Sequence, residues 1–123
     1  MNIALWIVQI LLAAVFLLSG VLKLRLPRET QIERAPYVED FSQGTIRIIG
    51  ILEILGGIGL LLPALTGILP WLTPLAAVGL VLTMLGAVIT HARRDEFPII
   101  VANLILLAMA AFVAYGRFVT HPL

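Results

Sequence analysis

The most constraining feature of the sequence is a single carboxylate inside a long apolar, glycine-rich run. Residues 50–62 read Gly-Ile-Leu-Glu-Ile-Leu-Gly-Gly-Ile-Gly-Leu-Leu-Leu, and Glu53 is their only ionisable residue. An ionisable group in a bilayer-spanning stretch is costly unless it faces protein or a water-filled cavity. On a helix, Gly50, Glu53 and Gly57 share one face, where missing side chains let a neighbouring helix approach. We therefore expect Glu53 to point into a helix bundle and to mark a functional site.

The composition assigns the chain to the integral membrane proteins. Hydrophobic residues make up 61% of the 123 residues and charged residues 12%, whereas about a quarter of the residues in soluble domains are charged. A formal net charge of +1 excludes a strongly basic nucleic-acid binder. The chain has no cysteine, so disulfides, thiol catalysis and cysteine-ligated iron–sulfur clusters are excluded.

Four apolar stretches are each long enough to cross the hydrocarbon core as a helix. They cover residues 3–22, 45–62, 72–90 and 99–115. We expect Pro63 to end the second span and the uncharged residues 63–70 to form a tight turn between antiparallel neighbours. Residues 24–44 predict a solvated loop in preference to a short interfacial helix, and residues 118–123 a frayed tail. The predicted fold is one all-α domain, a four-helix membrane bundle over residues 1–123.

Small residues recur at helical spacing along the predicted spans. Such residues let membrane helices pack closely. We expect the packing positions to be Gly20, Gly50, Gly57 and Gly79.

The distribution of basic residues predicts the orientation. Lys23, Arg25, Arg28, Arg34, Arg93 and Arg94 lie on the side of the two charged loops, and only Arg117 lies on the opposite side. The positive-inside rule then places the loops in the cytoplasm and both termini outside. We expect a multi-pass protein of the inner (plasma) membrane, with the lipid bilayer as its main partner and no nucleic acid.

The polar residues within the spans gather in the half of the membrane near the charged loops. At about 1.5 Å per helical residue, Asn103 lies about 6 Å below that surface and Glu53 and Thr83 about 12 Å below it. Gln9 lies alone in the opposite half. A pocket open to the cytoplasmic half would have this pattern. The ligand-binding candidates are Lys23, Arg47, Glu53, Thr83, His91 and Asn103.

Several of these candidates also have a structural interpretation. Lys23 and Arg47 are more often interfacial residues whose long side chains reach water, and Thr83 can bond its own helix backbone. Asn103 is as consistent with a bond between helices as with a ligand contact, and His91 is favoured as an interface residue over a catalyst. Glu53 is too short to reach water, so it must pair with Lys23 or Arg47 or carry a proton. A structural ion pair remains an alternative for it.

The sequence predicts no metal centre and no intrinsic cofactor. His91 and His121 lie on opposite sides of the predicted membrane, so they cannot ligate one haem iron together. No set of zinc ligands is present either.

Four short motifs together resemble a known family. They are Phe-Leu-Leu-Ser-Gly-Val-Leu-Lys at 16–23, the glycine-rich run at 50–63, a small-residue third span that ends in His91, and Asn103 in the fourth span. The pattern resembles the DoxX-like family of small bacterial four-span proteins and covers nearly the whole chain. The resemblance implies association with membrane oxidoreductase systems. The positions that it carries over by motif are Gly20, Lys23, Glu53, His91 and Asn103. The four-span plan is also similar to the sterol-isomerase and sigma-2-receptor superfamily.

Three functions follow as hypotheses. The first is a membrane subunit or quinone-binding partner of an oxidoreductase system. The second is a binder or acid–base enzyme for a lipid-like or sterol-like molecule, with Glu53 as the proton carrier. The third is a small proton-coupled exporter, although such exporters carry their carboxylate in the first span, which has none here.

Overall fold

A computed structural model describes residues 1–123 as an all-α protein without strands. The helices are α1 (Asn2–Arg25), α2 (Arg28–Arg34), α3 (Gln43–Thr66), α4 (Leu72–Arg93) and α5 (Phe97–Tyr115), with a 3-10 helix at Pro36–Asp40 and a π-helix at Gly116–Thr120. Four helices are long and apolar enough to cross a membrane: α1, α3, α4, and α5 with its π-helical extension. The predicted all-α membrane bundle is confirmed.

The bundle consists of two closely packed helix pairs, α1 with α3 and α4 with α5. The first pair meets at glycines: a Cβ added to Gly20 would lie 2.5 Å from the Gly50 carbonyl oxygen, and one added to Gly57 would lie 2.7 Å from Leu17 Cγ. Gly79 differs from the prediction. It lies on the exposed surface of α4, and a Cβ added there would meet nothing within 4 Å. Helical spacing places Gly79 on a face, but no helix covers that face.

The two pairs contact each other most closely in the half of the bundle away from the charged loops. Gly56 of α3 lies against Leu80 of α4, and Gly59 lies against Ala76. A buried apolar core of residues from α1, α3, α4 and α5 fills this half, with Leu12, Leu60, Ala77, Ala110 and Val113 fully buried. Toward the charged loops the pairs separate and leave a cavity.

Pro63 does not end the second span, contrary to the sequence-based prediction. Helix α3 continues to Thr66 and is closed by Gly67, whose φ of 71° is left-handed. Proline has no N–H for the carbonyl four residues earlier, that of Gly59. Thr73 of α4 supplies the missing donor, because its Oγ1 lies 2.9 Å from the Gly59 oxygen.

The C-terminal residues and Gln9 also differ from the prediction. Instead of fraying after α5, residues Gly116–Thr120 form the π-helix, which buries Arg117 to 3% exposure. Arg117 Nε donates to Gln9 Oε1 at 2.7 Å, and Gln9 Nε2 donates to the Leu60 carbonyl at 2.7 Å. Gln9 is therefore not alone in its half of the bundle, because the last helix contributes a partner from outside the predicted span.

The connection between α1 and α3 is folded onto the end of the bundle. We call residues 28–41, which contain α2 and the 3-10 helix, the cap. Gln31 Nε2 donates to the carbonyls of Lys23 at 3.0 Å and Leu26 at 2.7 Å, and Arg28 Nη2 donates to the Phe41 carbonyl at 2.7 Å. Gln31 and Val38 are buried. The predicted solvated loop is thus wrong for this segment, because side-chain bonds to backbone carbonyls hold it in place.

Candidate functional site

A cavity of about 430 Å³ lies between the two helix pairs under the cap. Ten of its 18 lining residues are hydrophobic, so most of its wall can accept only an apolar ligand. Five of the six predicted ligand-binding residues line it: Lys23, Glu53, Thr83, His91 and Asn103. The convergence expected from depth along the spans is present in the structure, and their role as ligand contacts stays a prediction.

Lys23, Ser19 and Glu53 form one polar group where α1 and α3 meet. Lys23 Nζ lies 2.7 Å from Glu53 Oε1 as an ion pair whose angles do not satisfy a hydrogen bond. Lys23 also donates to Ser19 Oγ at 2.7 Å, and Ser19 donates to Glu53 Oε2 at 3.1 Å. The Glu53 side chain is 4% exposed and that of Lys23 16% exposed. The buried carboxylate is thus compensated within the chain.

Asn103 differs from this group because its side-chain nitrogen has no partner. The residue is 8% exposed, lines the cavity, and its Nδ2 has no hydrogen-bond partner. A buried amide N–H₂ without an acceptor costs about 1–3 kcal/mol. Asn103 Nδ2 therefore has neither a hydrogen bond nor an ion pair, whereas Glu53 Oε1 has at least the ion pair with Lys23.

Thr83 and Arg47 contribute less to the site. Thr83 lines the cavity, but its hydroxyl donates to the Gly79 carbonyl of its own helix at 2.9 Å. Arg47 is exposed on α3 and does not line the cavity. The structure pairs Glu53 with Lys23 and leaves Arg47 on the surface, as expected for a side chain that reaches water near the end of a span.

His91 lies where the cavity meets the loop between α4 and α5. It is 5% exposed, and its Nδ1 lies 2.9 Å from Glu96 Oε1. The ring of Tyr37 from the cap stands edge-on to the imidazole, with 5.0 Å between ring centroids. A carboxylate on Nδ1 orients the imidazole and leaves Nε2 as the nitrogen free to meet another group.

The cap is anchored to the α4–α5 loop by an ion pair. Arg94 Nη1 donates to Asp40 Oδ1 at 3.0 Å, and this hydrogen bond is the main cause that raises the pKa of Arg94. Arg94 Nε also lies 3.5 Å from Glu96 Oε1. Tyr37 and Phe41 of the cap line the cavity below, so the cap closes the site on the side of the charged loops.

Four contributors to this region were not among the predicted site residues. A helical serine hydroxyl usually bonds its own backbone, but Ser19 bridges Lys23 and Glu53 instead. Tyr37, Phe41 and Glu96 lie in connections without helical periodicity. The sequence signals that could have pointed to these residues are the run of four charged residues from Arg93 to Glu96 and the two aromatic residues of the connection.

The fold defines a small multi-pass membrane protein, and the cavity between its helix pairs is largely apolar with a few polar side chains. The DoxX-like family matches residues 7–113, and the chain belongs to that family. No curated protein matches the chain, and no solved structure does. No group of three or more histidine, cysteine, aspartate or glutamate side chains is placed to hold a metal ion.

Proposed function

We propose that this protein binds a neutral lipid-like molecule with a carbonyl-bearing head, best represented by a quinone, and does so as a membrane partner of an oxidoreductase system. The single observation that carries the proposal is the unpartnered, buried Nδ2 of Asn103 in the cavity wall. An N–H₂ group is a donor, and a quinone carbonyl oxygen is an acceptor of matching chemistry.

The state of Glu53 favours a neutral ligand over a cationic one. Lys23 already forms an ion pair with Glu53 Oε1, and Ser19 donates a hydrogen bond to Oε2. A lipophilic amine would have to displace Lys23, which would leave an ammonium group without its buried partner. A carbonyl ligand needs no such displacement, and Lys23 Nζ has donors to spare for it because an ammonium carries three.

The cavity wall can bind and orient a ligand, but it contains no thiol. The chain has no cysteine, so we assign the electron transfer that a bound quinone would undergo to a partner oxidoreductase. The role of this chain is then to hold the quinone head between apolar walls with a few fixed polar contacts, the usual design of a small-molecule site.

Thermal-shift measurements on the purified protein test this proposal. Decylubiquinone, cholesterol and a lipophilic amine are compared at increasing concentrations, because selective binding to the folded state raises apparent stability with concentration. We expect a shift with the quinone that is lost in Asn103→Leu and kept in Asn2→Leu, which removes an acceptor of Arg117 outside the cavity. A shift with the amine alone, or an equal quinone shift in Asn103→Leu, would contradict the proposal.

A second candidate function, acid–base chemistry on a lipid-like substrate, is favoured by the His91–Glu96 contact. A histidine oriented by a carboxylate and facing a largely apolar cavity is a suitable general base. His91→Gln keeps a polar side chain but cannot exchange protons near neutral pH. If the quinone shift survives in His91→Gln while turnover of an added lipid substrate is lost, the cavity is an enzyme site.

A further inference from the structure

We propose that the cavity opens sideways to the bilayer between α3 and α4, and that its ligand is a lipid whose tail leaves the protein through this gap. This inference deepens the proposed function and rests on it for the identity of the head. The gap is defined by Leu52 of α3 and by Leu82 and Gly86 of α4, and we call it the portal. All three residues line the cavity although they are exposed.

Leu52 shows that α3 and α4 part at this level. It precedes Gly56 and Gly59 by four and seven residues, so the three lie on one face of α3. Gly56 and Gly59 pack directly against α4, on Leu80 and Ala76. Leu52 on the same face is nevertheless 54% exposed. Helix α4 therefore covers this face near Gly59 and has moved away from it at Leu52.

The α4 side of the portal consists of an exposed leucine and a glycine. Leu82 is 63% exposed, and a Cβ added to Gly86 would meet no atom within 4 Å. Thr83 and Ala87 beside them are half-buried, and both line the cavity. Thr83, Gly86 and Ala87 therefore give part of this wall small side chains, with open space beside Gly86, so hydrocarbon chains of the bilayer can reach the cavity.

The other sides of the cavity have fewer exposed lining residues. The cap covers the loop end and is held to the bundle by the Arg94–Asp40 and Gln31–Lys23 bonds. Between α1 and α5, Val15 is the one exposed lining residue, whereas Asn103 and Leu106 opposite it are buried or half-buried. The portal therefore has more exposed lining residues than the α1–α5 side of the cavity.

The size of the cavity supports a ligand that is only partly enclosed. At about 30 Å³ for each water-sized group in a liquid, 430 Å³ holds about fourteen such groups. That is room for a substituted ring. A lipid could place its ring near Asn103 and Lys23 while its chain passes Leu52 and Leu82 into the bilayer, where burying it costs nothing.

Thiol labelling in vesicles tests the portal without reference to any ligand. The chain has no cysteine, so Met84→Cys introduces a single thiol at a buried cavity position. We expect bilayer-soluble N-phenylmaleimide to modify it and a membrane-impermeant methanethiosulfonate to do so far more slowly. Adding Gly86→Leu should slow the maleimide by about tenfold, and Leu82→Ala should speed it.

Gly79→Leu is the matched control for Gly86→Leu. Both glycines are exposed residues of α4 with open space around them, but only Gly86 lines the cavity. We expect Gly79→Leu to leave the labelling rate unchanged. Equal slowing by both substitutions, or faster labelling by the water-soluble reagent, would overturn the portal, and slowing by Val15→Trp alone would move the opening to the α1–α5 side.

Quinone binding then separates this inference from the proposed function. The comparison is between decylubiquinone and the same ring without its decyl chain, in the wild type and in Gly86→Leu. We expect Gly86→Leu to weaken the decyl compound and to spare the ring alone. If the wild type binds neither compound while the labelling results hold, the portal stands and the quinone assignment fails. If both compounds bind and Gly86→Leu affects neither, the tail does not use the portal.

Discussion

Thr73 on α4 donates a hydrogen bond of 2.9 Å to the carbonyl of Gly59 on α3, the acceptor that Pro63 leaves without a helical partner. The bond links the two helix pairs beside the core and lets α3 run on to Thr66. A proline that would end a solitary helix is thus accommodated by a residue of its neighbour, as membrane helices require for backbone groups away from water.

Removing the Thr73 hydroxyl should therefore destabilise the bundle. Thr73→Val leaves the Gly59 carbonyl unsatisfied and should lower the free energy of unfolding, measured by SDS titration, by about 1–3 kcal/mol. Thr83→Val is the control, because that hydroxyl bonds within its own helix and should matter little. Pro63→Ala restores an N–H for Gly59, so Thr73→Val should cost less in that background. Equal costs with and without Pro63 would contradict the role given to the Thr73–Gly59 bond.

The close approach of Gly20 and Gly50 makes a second prediction about stability. Gly20→Ala places a methyl group 2.5 Å from the Gly50 carbonyl oxygen and should destabilise the protein by about 1–3 kcal/mol. Gly79→Ala has open space and should be neutral, or stabilise by up to about 1 kcal/mol through helix propensity. SDS titration of both variants compares them directly. Similar effects at the two glycines would mean that α1 and α3 do not pack as described.

The Lys23–Glu53 pair should respond asymmetrically to removal of its members. Lys23→Met leaves a buried carboxylate with only Ser19 and should cost about 3–5 kcal/mol in unfolding free energy. The double variant Lys23→Met with Glu53→Leu removes both charges and should recover most of that loss. If the double variant is as unstable as Lys23→Met alone, the cost lies in lost packing and not in an unpaired charge.

The orientation proposed from the basic residues is testable with single cysteines. Glu33 of the cap and Leu123 at the C-terminus are both exposed, and they lie at opposite ends of the bundle. In intact cells, an impermeant thiol reagent should label Leu123→Cys and spare Glu33→Cys, because the positive-inside rule places the charged loops in the cytoplasm. Labelling of Glu33→Cys alone would reverse the topology.

Helical spacing and depth were enough to predict much of the site. Lys23, Glu53 and Asn103 lie on regular helices, so their place in the same half of the bundle follows from the rise per residue. Periodicity does not say which face of a helix a neighbour covers, so it could not show that Gly79 is exposed. The cap escaped prediction because Arg28 and Gln31 hold it through side-chain bonds to backbone carbonyls, which leave no periodic pattern in the sequence. The course of α3 beyond Pro63 depended on Thr73, a residue of another helix.

The measurement that tests the central claim most directly is photoaffinity labelling with an azido-substituted quinone in vesicles, followed by peptide mapping. The account predicts that adducts concentrate on cavity-lining segments around Glu53, Thr83 and Asn103, that excess decylubiquinone suppresses them, and that Asn103→Leu reduces them strongly. Adducts spread over the lipid-facing surface, or adducts unchanged by decylubiquinone and by Asn103→Leu, would contradict a quinone site in this cavity.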